Sequence, residues 1–262
     1  MCKSGHRKIR TRASNWGQAS QRAIRGGPRF CARIGPKFRT RVPVVSIHRR
    51  QYRLDLTEPV SIRDEVSDIE ALVATFGEPV LIAGHSSGAV VALEALAALP
   101  DAFMGAVLYE PPVTIDLTAP MGGSALRAAQ QAIAENRPGK AIQIFTRDMV
   151  GLPAWQSRLV RVFVTLNTRM KGLAPRQIAD VSAMRELGVR LPTYAGIEVP
   201  VLLVGGDQSP GALSRQLDAL QSTLPQTRRA LLSGQGHSAN ERAPKRLADL
   251  IAGFYCDVNT SP

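Results

Sequence analysis

From residue 61 onward the apolar positions switch between two spacings. Ile62, Val66, Ile69, Val73 and Phe76 step by four and three, so they share one face of a helix. Ser61, with Asp64 three positions on, makes a capping box that opens this helix, and Gly77 is placed to end it. Residues 79–83 form a short apolar run ahead of a glycine, the pattern of a buried parallel strand. Residues 87–99, rich in Ala, Leu and Val, read as a helix buried on most sides. Residues 105–109 are another buried strand, stopped by Pro111 and Pro112. Residues 199–204 are a further strand, and 229–232 a shorter one. Helices are expected over 211–223 and 243–255. The β-branched run at 42–47, broken by Pro43, is also expected as a strand. Strands that alternate with helices, without hairpin signals, predict an α/β fold with a mainly parallel sheet covered on both faces.

The stretch between the strands near 109 and 199 is different. Phe145, Met149, Leu152, Trp155, Leu159, Phe163, Leu166 and Met170 are spaced in threes and fours, and Pro153 divides them between two helices. This predicts a helical insertion, residues 113–198, over one end of the sheet. Its apolar side chains have two readings: they form the insertion's own core, or some of them, Phe145 and Trp155 first, line a substrate pocket. No internal repeat is present.

Charge divides the chain sharply. Residues 1–53 hold 15 of the 33 Lys and Arg and none of the 21 Asp and Glu, so the net charge of +12 belongs to the beginning of the chain. The rest has the balance of an ordinary soluble enzyme. Hydrophobic residues make up 44%, enough for a sizeable core. The longest apolar-rich run, 89–99, is interrupted by Glu94 and too short to span a bilayer, and no signal-peptide pattern is visible. Cys2, Cys31 and Cys256 lack metal-ligand or redox-motif spacing, which favours a reducing, cytoplasmic setting.

The candidate chemistry sits at strand ends. Gly84-His85-Ser86-Ser87-Gly88 matches G-x-S-x-G between an expected strand and an expected helix. A strand that turns sharply into a helix strains the middle residue and exposes its hydroxyl, and small residues two before and two after avoid clashes in the bend. Ser86 is therefore the candidate nucleophile. The Ser87 N–H, at the helix start, is the candidate oxyanion donor. His237 lies in a loop between the last short strand and the last helix, where a base can reach Ser86. His85, inside the bend, is expected to pack behind Ser86 or contact substrate.

At this point four stretches resemble the α/β-hydrolase superfamily, particularly its small members with a helical cap. They are Pro79-Val80-Leu81-Ile82-Ala83-Gly84-His85-Ser86-Ser87-Gly88-Ala89, Val107-Leu108-Tyr109-Glu110-Pro111-Pro112, Val199-Pro200-Val201-Leu202-Leu203-Val204-Gly205-Gly206-Asp207 and Gly234-Gln235-Gly236-His237-Ser238-Ala239-Asn240. Their order and spacing agree with the family over about residues 42–257. The resemblance implies a hydrolase core over 42–112 and 199–257, a cap over 113–198 and a short tail, 258–262. It also implies a carboxylate to orient the histidine. In most of the family that acid follows the seventh strand, where this chain has Ser209, with Asp207 two residues earlier. Some branches place it after the sixth strand, where this chain has Glu110. Glu110 and Asp207 both remain candidates.

The resemblance further implies strands before residue 42 and a His-Gly loop that supplies a second oxyanion donor. Residues 1–41 offer neither pattern. The readings open for this segment are a basic extension for a polyanion, a targeting peptide, or an out-of-frame product of GC-rich coding sequence. The expected function is hydrolysis of a small hydrophobic ester through an acyl-enzyme on Ser86. No metal or other cofactor is expected, the partner is a small-molecule substrate, membrane contact is not expected and nucleic acid is disfavoured. A dehalogenase is disfavoured because that chemistry uses aspartate where this chain has Ser86. The rival is a catalytically impaired hydrolase fold that acts as a binding module through its basic arm.

Overall fold

The structure is a computed structural model that describes residues 44–116 and 122–260. The chain divides into two compact units, of which Arg50–His237 holds the sheet. Four strands, β1 (Val80–His85), β2 (Phe103–Tyr109), β3 (Val201–Gly206) and β4 (Thr227–Leu232), pair in that order, all parallel. His85 lies opposite Tyr109, and Tyr109 opposite Val204, so the carboxyl ends of β1, β2 and β3 come together. In β2 and β3, Val107, Leu108, Val201, Leu203 and Val204 are at most 1% exposed, as both-face burial of a parallel sheet requires.

Helices join the strands. Before β1 comes α1 (Ile62–Val73), opened by the Ser61–Asp64 capping box. Between β1 and β2 runs α2 (Ser87–Ala98), whose mostly buried surface follows from its Ala, Val and Leu content. The connection from β2 to β3 is helical: α3 (Gly123–Ala134), α4 (Pro138–Ile144), a π-turn (Phe145–Met149), α5 (Ala154–Leu166), α6 (Thr168–Glu186) and α7 (Leu191–Tyr194). Apart from one bridge, Thr114 to Val189, its described residues contain no extended pairing. Pro153 sits at the N-cap of α5, where its fixed φ and missing N–H do no harm. The insertion is tied to α2 by Glu94, which accepts two hydrogen bonds from Arg190 at 3.0 Å each and one from the Tyr194 hydroxyl at 2.7 Å. Finally α8 (Gly211–Thr223) links β3 to β4. The second unit contributes, among described residues, 44–49 and the helices α9 (Ala239–Arg242) and α10 (Pro244–Thr260).

Three expectations are corrected. Residues 44–49 form no strand, and Val44 and Val45 are 47% and 59% exposed, while 42 and 43 lie outside the described residues. β-Branched composition favours a strand only where a ladder partner and a packed face exist. β1 is parallel as expected but only half-buried, with Ala83 exposed. Lastly, Trp155, Leu159, Phe163 and Leu166 of the insertion do not form its core, because all four are more than half exposed. The residues α5 buries fully are Ser157 and Val164, on its opposite face.

Candidate active site

Three of the four strands, β1, β2 and β4, lead at their carboxyl ends to the three residues of the array. Ser86 follows β1 with φ 53° and ψ −127°. Its N–H extends the ladder to the Tyr109 carbonyl at 2.9 Å, so the bend is pinned to β2. A non-glycine residue in this region costs about 1–3 kcal/mol and persists only where its surroundings hold it. A Cβ on Gly84 would lie 2.4 Å from the Gly88 carbonyl oxygen, which explains the glycine before the serine. At Gly88 a Cβ would meet nothing, so the expected need for a small residue there is not steric.

Glu110 follows β2, also with positive φ, at 46°. Its N–H donates to the Val204 carbonyl at 3.0 Å, and its side chain is 1% exposed. A buried carboxylate is costly unless its lone pairs are filled. Here they are filled. Oε1 accepts from the Gly206 N–H at 2.7 Å and from the Ser209 hydroxyl at 2.5 Å, and Oε2 lies 2.7 Å from His237 Nδ1. A Cβ on Gly206 would come within 2.2 Å of the Gln235 carbonyl oxygen, so only glycine lets the two loops meet this closely.

His237 closes the array. An ionised carboxylate has no proton to give, so the hydrogen of this bond resides on Nδ1. Nε2 then carries the lone pair, and it stands 3.0 Å from Ser86 Oγ. The loop that carries His237 is held by two further bonds. The Tyr109 hydroxyl donates to the Gly236 carbonyl, and His85 Nε2 donates to the His237 carbonyl at 2.9 Å. The His85 ring stacks on Tyr109 with centroids 4.8 Å apart and lies 4.7 Å from the His237 ring. Burial, and then the neighbouring His237, lower the His85 pKa to about 3, so His85 is neutral near pH 7 and its Nε2 carries the hydrogen it donates.

The arrangement is a serine at a strained strand-to-helix bend with a histidine and a carboxylate in line. The sequence fits the alpha/beta hydrolase family over residues 11–250. The chain belongs to that family. Solved structures agree on the fold. An alpha/beta hydrolase from Sphaerobacter thermophilus is 24% identical, with 88% of each chain covered and a TM-score of 0.70. A thermophilic esterase from Thermogutta terrifontis is 16% identical, covering 88% of this chain and 86% of its own, with a TM-score of 0.68. A hydrolase from Oleispira antarctica is 12% identical, covering 90% and 88%, also at 0.68. No curated protein matches.

In this alpha/beta hydrolase, Ser86, His237 and Glu110 come together and Asp207 does not join them. Asp207 Oδ1 instead accepts the Gly234 N–H at 2.8 Å and holds the turn between the loops after β3 and β4. Ser87 opens α2 directly beside Ser86, and its residue is buried. His85 uses its Nε2–H on the His237 carbonyl and so supports the loop that carries His237. Trp155 is 62% exposed on α5 and Phe145 is half-buried in the π-turn. Neither makes a hydrogen bond or ring contact with Ser86, Glu110 or His237. Two supporting residues were not singled out as functional from sequence. Tyr109 was legible only as a strand residue. Ser209 occupies the family's usual acid position, which was the available signal for its proximity to the carboxylate. Among the described residues no group of three or more His, Cys, Asp or Glu side chains could hold a metal ion, and no helix is long and apolar enough to cross a membrane.

Proposed function

We propose that the chain is a serine hydrolase that cleaves a small, hydrophobic ester-type substrate through an acyl-enzyme on Ser86. The observation that carries this reading is the array Ser86 Oγ–His237 Nε2 at 3.0 Å and His237 Nδ1–Glu110 Oε2 at 2.7 Å. Ser86 Oγ attacks the carbonyl carbon while His237 Nε2 takes the hydroxyl proton. Glu110 stabilises the imidazolium and keeps its orientation. The negative charge that develops on the carbonyl oxygen is met by the Ser87 N–H and the N-terminal end of α2, where partial positive charge collects. His237 then protonates the leaving alcohol. Water, deprotonated by His237, attacks the acyl-serine, and the acid product leaves with Ser86 restored. Every step moves protons and acyl carbon only, so the chemistry requires no cofactor. The ester class of the substrate is supported by the esterase among the structural neighbours.

The test is steady-state hydrolysis of a chromogenic short-chain ester by the full chain and by Ser86→Ala. Turnover that falls by at least about a thousandfold in the variant supports the reading. Turnover that is unchanged removes Ser86 from the chemistry.

A further inference from the structure

Glu110 meets His237 with Oε2, and nothing in the glutamate itself dictates which oxygen it presents. The terminal torsion of a glutamate is broad and roughly twofold, so the carboxylate plane is set by the groups that donate to it. An ionised carboxylate is an acceptor only, so each partner at hydrogen-bond distance supplies the hydrogen. Oε1 has two such partners, the Gly206 N–H at 2.7 Å and the Ser209 hydroxyl at 2.5 Å. Oε2 has the His237 Nδ1–H at 2.7 Å. The Gly206 N–H alone would hold one oxygen and let the plane pivot about it. The Ser209 hydroxyl, three residues further along the chain, supplies the second constraint.

Ser209 is itself held in a built turn. Its N–H donates to the Gly206 carbonyl at 3.3 Å, and the Gln208 N–H to the Gln235 carbonyl at 2.8 Å. Pro210 follows at the N-cap of α8 with φ −54°. A Cβ on Gly236 would lie 3.2 Å from the Gln208 carbonyl oxygen, and one on Gly151 would lie 3.3 Å from Pro210 Cγ. The turn is therefore in close contact with the loop that carries His237 and with the helical insertion. Asp207, two residues before Ser209, serves this turn and not the carboxylate, since its Oδ1 accepts the Gly234 N–H at 2.8 Å. Loss of the hydroxyl at 209 would leave these backbone bonds in place and free Glu110 to rotate.

From this geometry we infer that Ser209 is a positioning residue of the reaction. Its hydroxyl fixes the Glu110 carboxylate with Oε2 on His237 Nδ1, and so orients the imidazole whose Nε2 stands 3.0 Å from Ser86 Oγ. The inference rests on the reading of Ser86 as the nucleophile. Because Ser209 acts through Glu110, its loss lowers the turnover number and leaves KM nearly unchanged.

The experiment compares full-length Ser209→Ala, Ser209→Thr and wild type in hydrolysis of a chromogenic short-chain ester. In Ser209→Ala kcat should fall by about tenfold, the order expected for one hydrogen bond to a charged group, with KM within about twofold. Ser209→Thr, which keeps the hydroxyl, should restore most of kcat. In a Glu110→Ala background there is no carboxylate to position, so adding Ser209→Ala should change kcat by less than about twofold. The far-downfield proton resonance of His237 Nδ1–H, assigned by its absence in His237→Ala, should move in Ser209→Ala and return in Ser209→Thr. Three results would overturn the inference: wild-type kcat in Ser209→Ala while Ser86→Ala is inactive, an equal loss with and without Glu110, or an Nδ1–H resonance unmoved in Ser209→Ala. Turnover that survives Ser86→Ala would instead refute the hydrolase reading, and the resonance, which needs no substrate, would still decide whether Ser209 positions Glu110.

Discussion

The carboxyl ends of the strands and the helix α5 handle polarity in opposite ways. At the strand ends, the ionisable groups of the array are buried or half-buried and have specified partners. Glu110 is filled by Gly206, Ser209 and His237, and the His237 loop is held by Tyr109 and His85. On α5, large apolar groups face outward. Buried polar groups tolerate one geometry only, because an unmade hydrogen bond in a low-dielectric site costs more than a made one gains. Exposed apolar groups impose almost no geometry on the rest of the chain. The first region is therefore where substitutions should damage chemistry, and the second where they should leave fold and chemistry nearly intact.

The largest contrast lies within the strand ends. Glu110→Gln keeps the shape but cannot stabilise the imidazolium, and it favours the wrong tautomer of His237. Its turnover number should fall by about 10³–10⁴. Asp207→Ala removes only the acceptor for the Gly234 N–H, so turnover should stay within about threefold while stability drops by about 1 kcal/mol. Parallel kinetics and urea unfolding of the two variants check this, and the opposite ranking would move the acid to Asp207.

That ranking also shows where the sequence stops being legible. The bend from Gly84 to Gly88 could be read because strand, glycine and helix are contiguous in the chain. His237 could be read because few histidines compete with it. The choice between Glu110 and Asp207 could not, since both stand directly after parallel strands. What separates them is orientation: Glu110 turns under the imidazole, while Asp207 turns towards Gly234. Periodicity located the apolar positions of α5 equally well, but a period reports that residues share a face, not whether anything packs on it. The small and β-branched residues Ser157 and Val164, which look less core-like than Trp155 or Phe163, make the contact face. Residues 44–47 of the β-branched run failed as a strand for a related reason: propensity names no partner.

A second contrast concerns pH. His85 titrates near 6.5 when unfolded and near 3 when folded, because burial and the neighbouring His237 oppose its charge. Between those values the unfolded chain binds more protons, so stability rises with pH across this window and is lost as pH falls through it. Above about pH 6.5 His85 contributes no further dependence. Relative to His85→Gln, the wild-type chain should lose up to about 2 kcal/mol more between pH 6.5 and pH 5. Denaturant midpoints at the two pH values measure it, and equal losses in both proteins would place His85 in a solvated setting.

The smallest effect is expected on α5. Leu159→Ser changes a residue that is 61% exposed, so the unfolding free energy should move by no more than about 0.5 kcal/mol and ester turnover should be unaffected. A loss of several kcal/mol would mean that Leu159 is packed in solution.

The central claim is that the Ser86 hydroxyl is activated by His237. Its most direct measurement is labelling of the intact protein with a fluorophosphonate, followed by peptide mass spectrometry. The account predicts one phosphonylated site, on the peptide that contains Ser86, with labelling abolished in His237→Ala. Labelling confined to another residue, or labelling of Ser86 at the same rate without His237, would contradict it.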